Sequence, residues 1–244
     1  MRRLAALGLP ALLALVLVAG AYAGSGWKEI NAQELKAMMD GGDVMVVFPL
    51  SRIEYDSLHI KGSVNIPMHA LKRKLPRRKD AKLVFYGLGR RSPASLEAAR
   101  LAVKLGYTNV YAFRAGLPGW VEAGYPTVTV KKLPPADVRG ISTEELSTMV
   151  ENGEDFVLLD IRFKALIERY RIDSARWVNI PLDMLIKRHR ELPREKKIVI
   201  IGETGRRSAV AARYLMSKGF ASVVHVEGGV QKWMKDGYPV LKGS

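Results

Sequence analysis

The 244-residue chain contains no cysteine. That absence excludes disulfides, thiolate metal sites, lipidated-cysteine anchors and any cysteine nucleophile. Histidine is almost as scarce: His59, His69, His189 and His225 are scattered without metal-ligand spacing. Neither a metal nor a cofactor is therefore expected. Acids are also under-represented, 24 against 39 lysines and arginines, which leaves a formal charge of +15. Such a balance favours polyanionic or acidic surroundings without naming one. What is present is ordinary for a folded globular protein: 48% hydrophobic and 26% charged residues, too apolar for a disordered chain.

The N-terminus carries Arg2 and Arg3, then an uncharged apolar run from Leu4 to Ala23 that ends in Ala21-Tyr22-Ala23. This is the layout of a signal peptide with a small-x-small cleavage site, and an uncleaved membrane anchor is the alternative. Either way the remainder is expected to be exported, periplasmic or secreted. Removing the two leader arginines barely changes the charge, so the basic balance belongs to the folded portion.

Internal repeats set the domain count. Ile30 to Leu35 parallels Ile141 to Leu146, and Val64 to Pro67 (VNIP) parallels Val178 to Pro181 (VNIP). Gly89 to Ser92 (GRRS) parallels Gly205 to Ser208 (GRRS), Gly116 to Trp120 parallels Gly229 to Trp233, and Gly124-Tyr125-Pro126 recurs as Gly237-Tyr238-Pro239. The offsets run 111, 114, 116, 113 and 113. Five ordered matches make two homologous units, expected at residues 27–127 and 140–244. A linker over residues 128–139 contains Pro134-Pro135.

Short β-rich runs are expected at Val44 to Phe48, Lys82 to Tyr86 and Asn109 to Phe113, and again at Phe156 to Asp160, Lys197 to Ile201 and Ser222 to Val226. Their unbroken apolar character suits a parallel sheet covered on both faces. Helical patterns follow at Pro93 to Leu105 and Ala209 to Lys218. The order strand, loop, helix, strand, twice over, implies an α/β fold, each unit a parallel sheet flanked by helices.

The loops between strand and helix are the candidate sites. Tyr86-Gly87-Leu88-Gly89-Arg90-Arg91-Ser92 and Gly202-Glu203-Thr204-Gly205-Arg206-Arg207-Ser208 each end a strand and open a helix. Unpaired backbone amides, the helix dipole and two arginines suit an oxyanion there. The alternative is structural, with glycine making the turn, serine capping the helix and the arginines in solvent.

These residues resemble the rhodanese family, the thiosulfate sulfurtransferases, in tandem. The family's active loop reads Cys-x-x-Gly-x-Arg-Ser, and Gly89, Arg91, Ser92 and Gly205, Arg207, Ser208 match it, with Trp120 and Trp233 in its later Gly-Gly-x-x-x-Trp turn. Glu54-Tyr55 and His59-Ile60-Lys61-Gly62-Ser63 are similar to the family's Glu-Tyr and His-Ile-x-Gly-Ala stretch, and Asp160-Ile161-Arg162 to its Asp-Val-Arg. The resemblance implies sulfur transfer through a cysteine persulfide.

The departures bear on that activity. Tyr86 and Gly202 stand at the two cysteine positions. A phenol is mostly protonated near neutral pH and cannot form a persulfide, and glycine has no side chain. Phe48-Pro49-Leu50 replaces Asp-Val-Arg in the first unit, while Arg171 and Ser174 replace the histidine and glycine of the second. No catalytic residue is expected. His59 is expected to be structural. The chain is read as a binding or sulfur-relay accessory module for a small oxyanion or a partner protein. A sulfurtransferase with residual or cysteine-independent activity, using Ser92, Tyr86 or a partner's cysteine, is one alternative, and a purely structural module is another.

Two basic clusters complete the inventory: Lys72, Arg73, Lys74, Arg77, Arg78, Lys79, and Lys187, Arg188, Arg190, Arg194, Lys196, Lys197. They read either as solvated faces or as surfaces drawn to anionic lipid headgroups. Export and the lack of a nucleic-acid motif argue against nucleic acid.

Overall fold

The computed structural model describes residues 26–242. The leader lies outside the described residues. Among them, no helix is long and apolar enough to cross a membrane.

Each half folds around a five-stranded, wholly parallel sheet. In the first the strands lie in the order Lys28–Glu29, Val110–Phe113, Leu83–Tyr86, Met45–Phe48, Val64–Asn65. The second repeats the order with Gly140–Ile141, Val223–Val226, Lys197–Ile201, Phe156–Asp160 and Trp177–Asn179. Both central strands are apolar at consecutive positions because both faces are covered. Val84 and Tyr86 point into one core with Leu35, Phe48, Phe113 and Trp120. Leu83 and Phe85 point into the other with Leu71, Ala98, Ala99 and Ala102. The alanines of helix Ala94–Lys104 are fully buried, so the helix backbone can lie close on the sheet.

The recurring motifs have structural employment. Asn65 donates its side-chain amide to the carbonyls of Phe48 and Leu50, and Asn179 does the same to those of Asp160 and Arg162. Trp120 and Trp233, both buried, donate Nε1–H to the carbonyls of Pro126 and Pro239 at 2.9 Å, which ties each tryptophan to its own Gly-Tyr-Pro. Tyr125 and Tyr238 then pack on those indoles at 4.7 Å.

The linker region is partly claimed by the first half. Thr127–Val128 pairs antiparallel with His59–Ile60, and the amides of Val130 and Lys131 both donate to the Asp56 carbonyl. Its second part leans the other way, with Leu133 and Val138 packed on the core of the second half. The halves also exchange side chains: Ile53 is buried in that same core, while Phe163 packs on the first half.

One boundary differs from the sequence expectation in an informative way. Helix Arg206–Met216 begins three residues earlier than Ala209, so Arg206, Arg207 and Ser208 form its first turn rather than a loop. Gly205, at φ 84°, makes the bend, and the Ser208 hydroxyl donates back to its carbonyl at 2.7 Å. In the first half Pro93 precedes the helix, which starts at Ala94 and leaves Arg90 to Ser92 in the loop.

Candidate functional site

Both candidate loops leave the C-terminal end of a central strand and are held from behind by the turn ahead of the buried tryptophan. Leu117 donates its amide to the Gly87 carbonyl at 2.9 Å, and Val230 donates to that of Gly202 at 2.9 Å. The glycine before each donor lies at φ 61°, and a Cβ there would fall 2.4 Å from the Gly87 oxygen or 2.3 Å from the Gly202 oxygen. Gly116 and Gly229 are thus obligatory for the close approach. The remaining loop amides are left unpaired. Those of Leu88, Gly89, Arg90 and Arg91 donate to nothing within the described chain, and neither do those of Glu203 through Ser208.

At the mouth of the first loop the structure is a plug. Tyr86 is fully buried, with its ring against Phe48 at 5.1 Å. Its hydroxyl accepts the Ile60 N–H at 3.2 Å and lies 2.8 Å from Ser63 Oγ. Because Ser63 donates its own proton to the Ile60 carbonyl at 2.7 Å, Tyr86 is the donor in that contact. Burial pushes the phenol far above its ordinary ionisation range. The hydroxyl is therefore neutral, satisfied and directed into the interior. Phe48 and Asp160 occupy equivalent places, each beside the asparagine of the Asn-Ile-Pro turn. In the first half two apolar or aromatic residues have filled the site together.

The second loop has kept its space and its polar floor. Gly202 is buried, yet the nearest atoms to a Cβ there would be those of Ile161 and the Ser208 nitrogen, at 3.6 Å or more. Arg162, 2% exposed, makes a bidentate bond to Asp160, with Nη2 at 2.8 Å, and donates to the Tyr170 carbonyl. Burial opposes its charge, but Asp160 and Glu203 carry its pKa above the usual value. Glu203 turns from the loop to this network: it accepts from Tyr170 at 2.7 Å, from Arg162 at 3.3 Å and from Gln231 at 3.3 Å. Burial and the Glu203 contact push the Tyr170 phenol up to about 12. The loop thus carries a carboxylate of its own, held beside it by Arg162, Tyr170 and Gln231.

The loop arginines have separate fates. Arg207 forms a two-point ion pair with Glu54 of the other half, 2.9 and 3.1 Å, and its guanidinium lies 5.2 Å from the Phe163 ring. Glu54 is buried and also accepts from the Ser51 amide and hydroxyl in a helix-capping box. Arg90 reaches Glu29 at 3.3 Å while remaining exposed, whereas Arg91 and Arg206 project into solvent. Thr204 is exposed, and the Ser92 hydroxyl lies over Gly87. Burial pushes the nearby Glu97 carboxyl up against the pull of Arg169 and Arg100, and the Glu203 charge adds to the rise.

The histidines are structural or peripheral. His59 stacks on Tyr55 at 3.7 Å with Nδ1 2.8 Å from the Tyr55 carbonyl. His189 bonds to carbonyls of its own helical turn, and His69 bonds across the halves to Asp183 at 2.6 Å. Among the described residues, no cluster of three metal-ligating side chains occurs.

The partners of Arg207 and Glu203 were not legible beforehand. Ser51-x-x-Glu54 reads locally as a capping box, but no sequence signal says that its acid also receives an arginine 153 residues away.

The family model for the rhodanese-like domain matches twice, at residues 31–123 and 142–236. The chain belongs to the rhodanese-like family. A sulfurtransferase of Allochromatium vinosum is 34% identical over 104 residues, which is 43% of this rhodanese-like chain and 95% of that protein. A putative sulfur carrier protein of Bacillus subtilis, YrkF, is 37% identical over 93 residues, 38% of this chain and 49% of that one. Among solved structures, a rhodanese-related protein of Thermoplasma volcanium is 36% identical and covers 42% of this chain and 97% of its own, with a TM-score of 0.38. Each match covers about one domain of the tandem.

Proposed function

We propose that this rhodanese-like tandem is catalytically silent and binds a small oxyanion, or a partner protein that presents one, in a sulfur-handling setting outside the cytoplasm. The observation that carries the reading is the contrast between the two mouths. The first has a buried, satisfied tyrosine in place of a nucleophile, four unpaired loop amides and the exposed guanidinium of Arg91. The second engages its own Glu203 and commits Arg207 to Glu54. Anion binding is accordingly assigned to Gly87 through Ser92, with Arg90 and Arg91 as charged contacts and the second loop as the weaker site. The names of the relatives, a sulfurtransferase and a sulfur carrier, support the sulfur-handling setting.

The test has two arms on the purified protein. Thiosulfate-to-cyanide sulfur transfer should not exceed a buffer blank, and turnover well above it would replace this reading with an enzymatic one. Calorimetry should detect weak sulfate or thiosulfate binding that Arg91→Ala reduces. No binding by the parent protein would remove the oxyanion from the proposal.

A further inference from the structure

We propose that the first domain docks onto an anionic lipid surface through Lys72, Arg73, Lys74 and Arg77. The two clusters of six basic residues singled out in the sequence are compensated to different degrees. In the second, Arg188 pairs with Glu191 at 2.8 Å, Lys196 with Asp155 at 2.8 Å and Lys197 with Glu154 at 3.5 Å. Arg194 donates to the Lys218 carbonyl at 2.8 Å. In the first, Arg78 alone has an ion pair, with Asp80 at 3.2 Å, and Lys79 lies over the Tyr107 ring at 4.2 Å. Lys72, Arg73, Lys74 and Arg77 are exposed and have no ion-pair partner among the described residues. Two other acids near this segment are taken, Asp43 by Lys82 and Asp183 by His69.

This face is mounted on rigid structure. Leu71 and Leu75, one helical turn apart, are buried in the core with Phe85 and Tyr107, which turns Lys72 to Lys74 outward. Tyr107 donates to the Pro76 carbonyl, Thr108 donates its amide to Lys79, and Asn109 donates its side-chain amide to Asp80. The four cations therefore form a held ridge, whose charges add in the field of a charged surface.

Two further observations select lipid as the occupant. The chain enters the domain at the end of the sheet where Arg77 lies: a Cβ on Gly26 would fall 2.7 Å from Val103, beside exposed Lys104, and Trp27 packs on the core that holds Leu75 and Tyr107. The apolar run Leu4 to Ala23 precedes Gly26 in sequence by only two residues. A bilayer that received that run would meet this ridge. The ridge also lacks the aromatic and amide side chains that stack on or read bases, since residues 71–79 are leucine, proline, lysine and arginine alone.

The experiment uses the full chain with vesicles of phosphatidylcholine alone or mixed with phosphatidylglycerol. Binding is read by co-sedimentation, and acylation of lysines by an amine reagent is read by mass spectrometry. Binding to the anionic vesicles should exceed binding to the neutral ones and fall with salt. Lys72 and Lys74 should be protected on anionic vesicles while Lys187 is not. The variant Lys72→Gln, Arg73→Gln, Lys74→Gln, Arg77→Gln should lose about five-fold per charge, on the order of several hundred-fold in all. A variant of equal charge loss elsewhere, Lys131→Gln, Lys132→Gln, Lys187→Gln, Arg190→Gln, should lose far less. Equal losses in the two variants, or no preference for anionic vesicles, would overturn the proposal. If the apolar run holds the chain on both vesicles, unchanged acylation of Lys72 and Lys74 between the two lipids would do the same. So would protection by a duplex oligonucleotide without protection by vesicles.

Discussion

Consider one cysteine introduced at residue 202 and, separately, one at residue 86. At Gly202 the new Cβ would sit at ordinary contact distance from Ile161 and from the Ser208 nitrogen, so little or no stability should be lost. The thiol would open onto the unpaired amides of Glu203 through Ser208 at the start of an eleven-residue helix. Such surroundings lower a thiol from about 8.5 to the range of about 3.5–7.5. A pKa near 7 would raise the thiolate fraction at neutral pH from about 3% to about half. That thiolate can attack the outer sulfur of thiosulfate, with the S–S bond breaking, sulfite leaving and a persulfide remaining on Cys. At Tyr86 the same change empties a fully buried ring site beside Phe48 and strands the Ile60 N–H. Cavity formation of about 3–4 kcal/mol and an orphaned donor of about 1–3 kcal/mol would consume much of a typical domain's stability. Intact-protein mass spectrometry after thiosulfate treatment reads the persulfide, and urea denaturation reads the stability. Gly202→Cys should gain one sulfur atom and keep its midpoint; Tyr86→Cys should shift the midpoint sharply and gain none. A folded Gly202→Cys protein without persulfide and with an ordinary thiol pKa would refute the reasoning, because it would mean that the loop amides do not act on residue 202.

Other outcomes follow from the same geometry. Arg207→Met should cost about 3 kcal/mol in urea denaturation, because Glu54 would stay buried without its cation; adding Glu54→Gln should recover part of that loss, and full additivity of the two changes would deny the coupling. Tyr86 is raised on folding, so its contribution to stability is complete below the unfolded phenol value of about 10 and is lost as pH rises toward its higher folded value. Alkaline absorbance titration should accordingly find a tyrosine that ionises only with unfolding, and Tyr86→Phe should remove that phase. Glu203→Gln should remove a negative charge from the second loop and strengthen sulfate binding there, measurable by calorimetry; unchanged affinity would show that the carboxylate does not repel the anion.

The tandem fold was legible because its determinants are local and repeated. Apolar strands, the glycine before each tryptophan and the Asn-Ile-Pro turns each act within one half, and each recurs at nearly constant offset. Tyr86 and Gly202 were legible as replacements, since the loop frame around them remains. What Tyr86 does was not, because its partners Ile60 and Ser63 come from a separate turn. Arg207 shows the same limit more sharply. The Gly-x-Arg-Ser pattern is identical in both loops, yet one arginine is in solvent and the other is bound across the domain boundary. Residue type and spacing specify which contacts are possible, and the relative placement of the halves decides which are made.

The exchange of Ile53 and Phe163 between the halves, with the Glu54–Arg207 pair beside them, changes what counts as a separable piece of this protein. A protease that nicked residues 132–137 would sever the covalent connection without removing these contacts. Separating the two pieces would then expose Ile53 and Phe163 and leave buried Glu54 without its cation. Homologous origin gives two domains by descent, and these few side chains key one against the other.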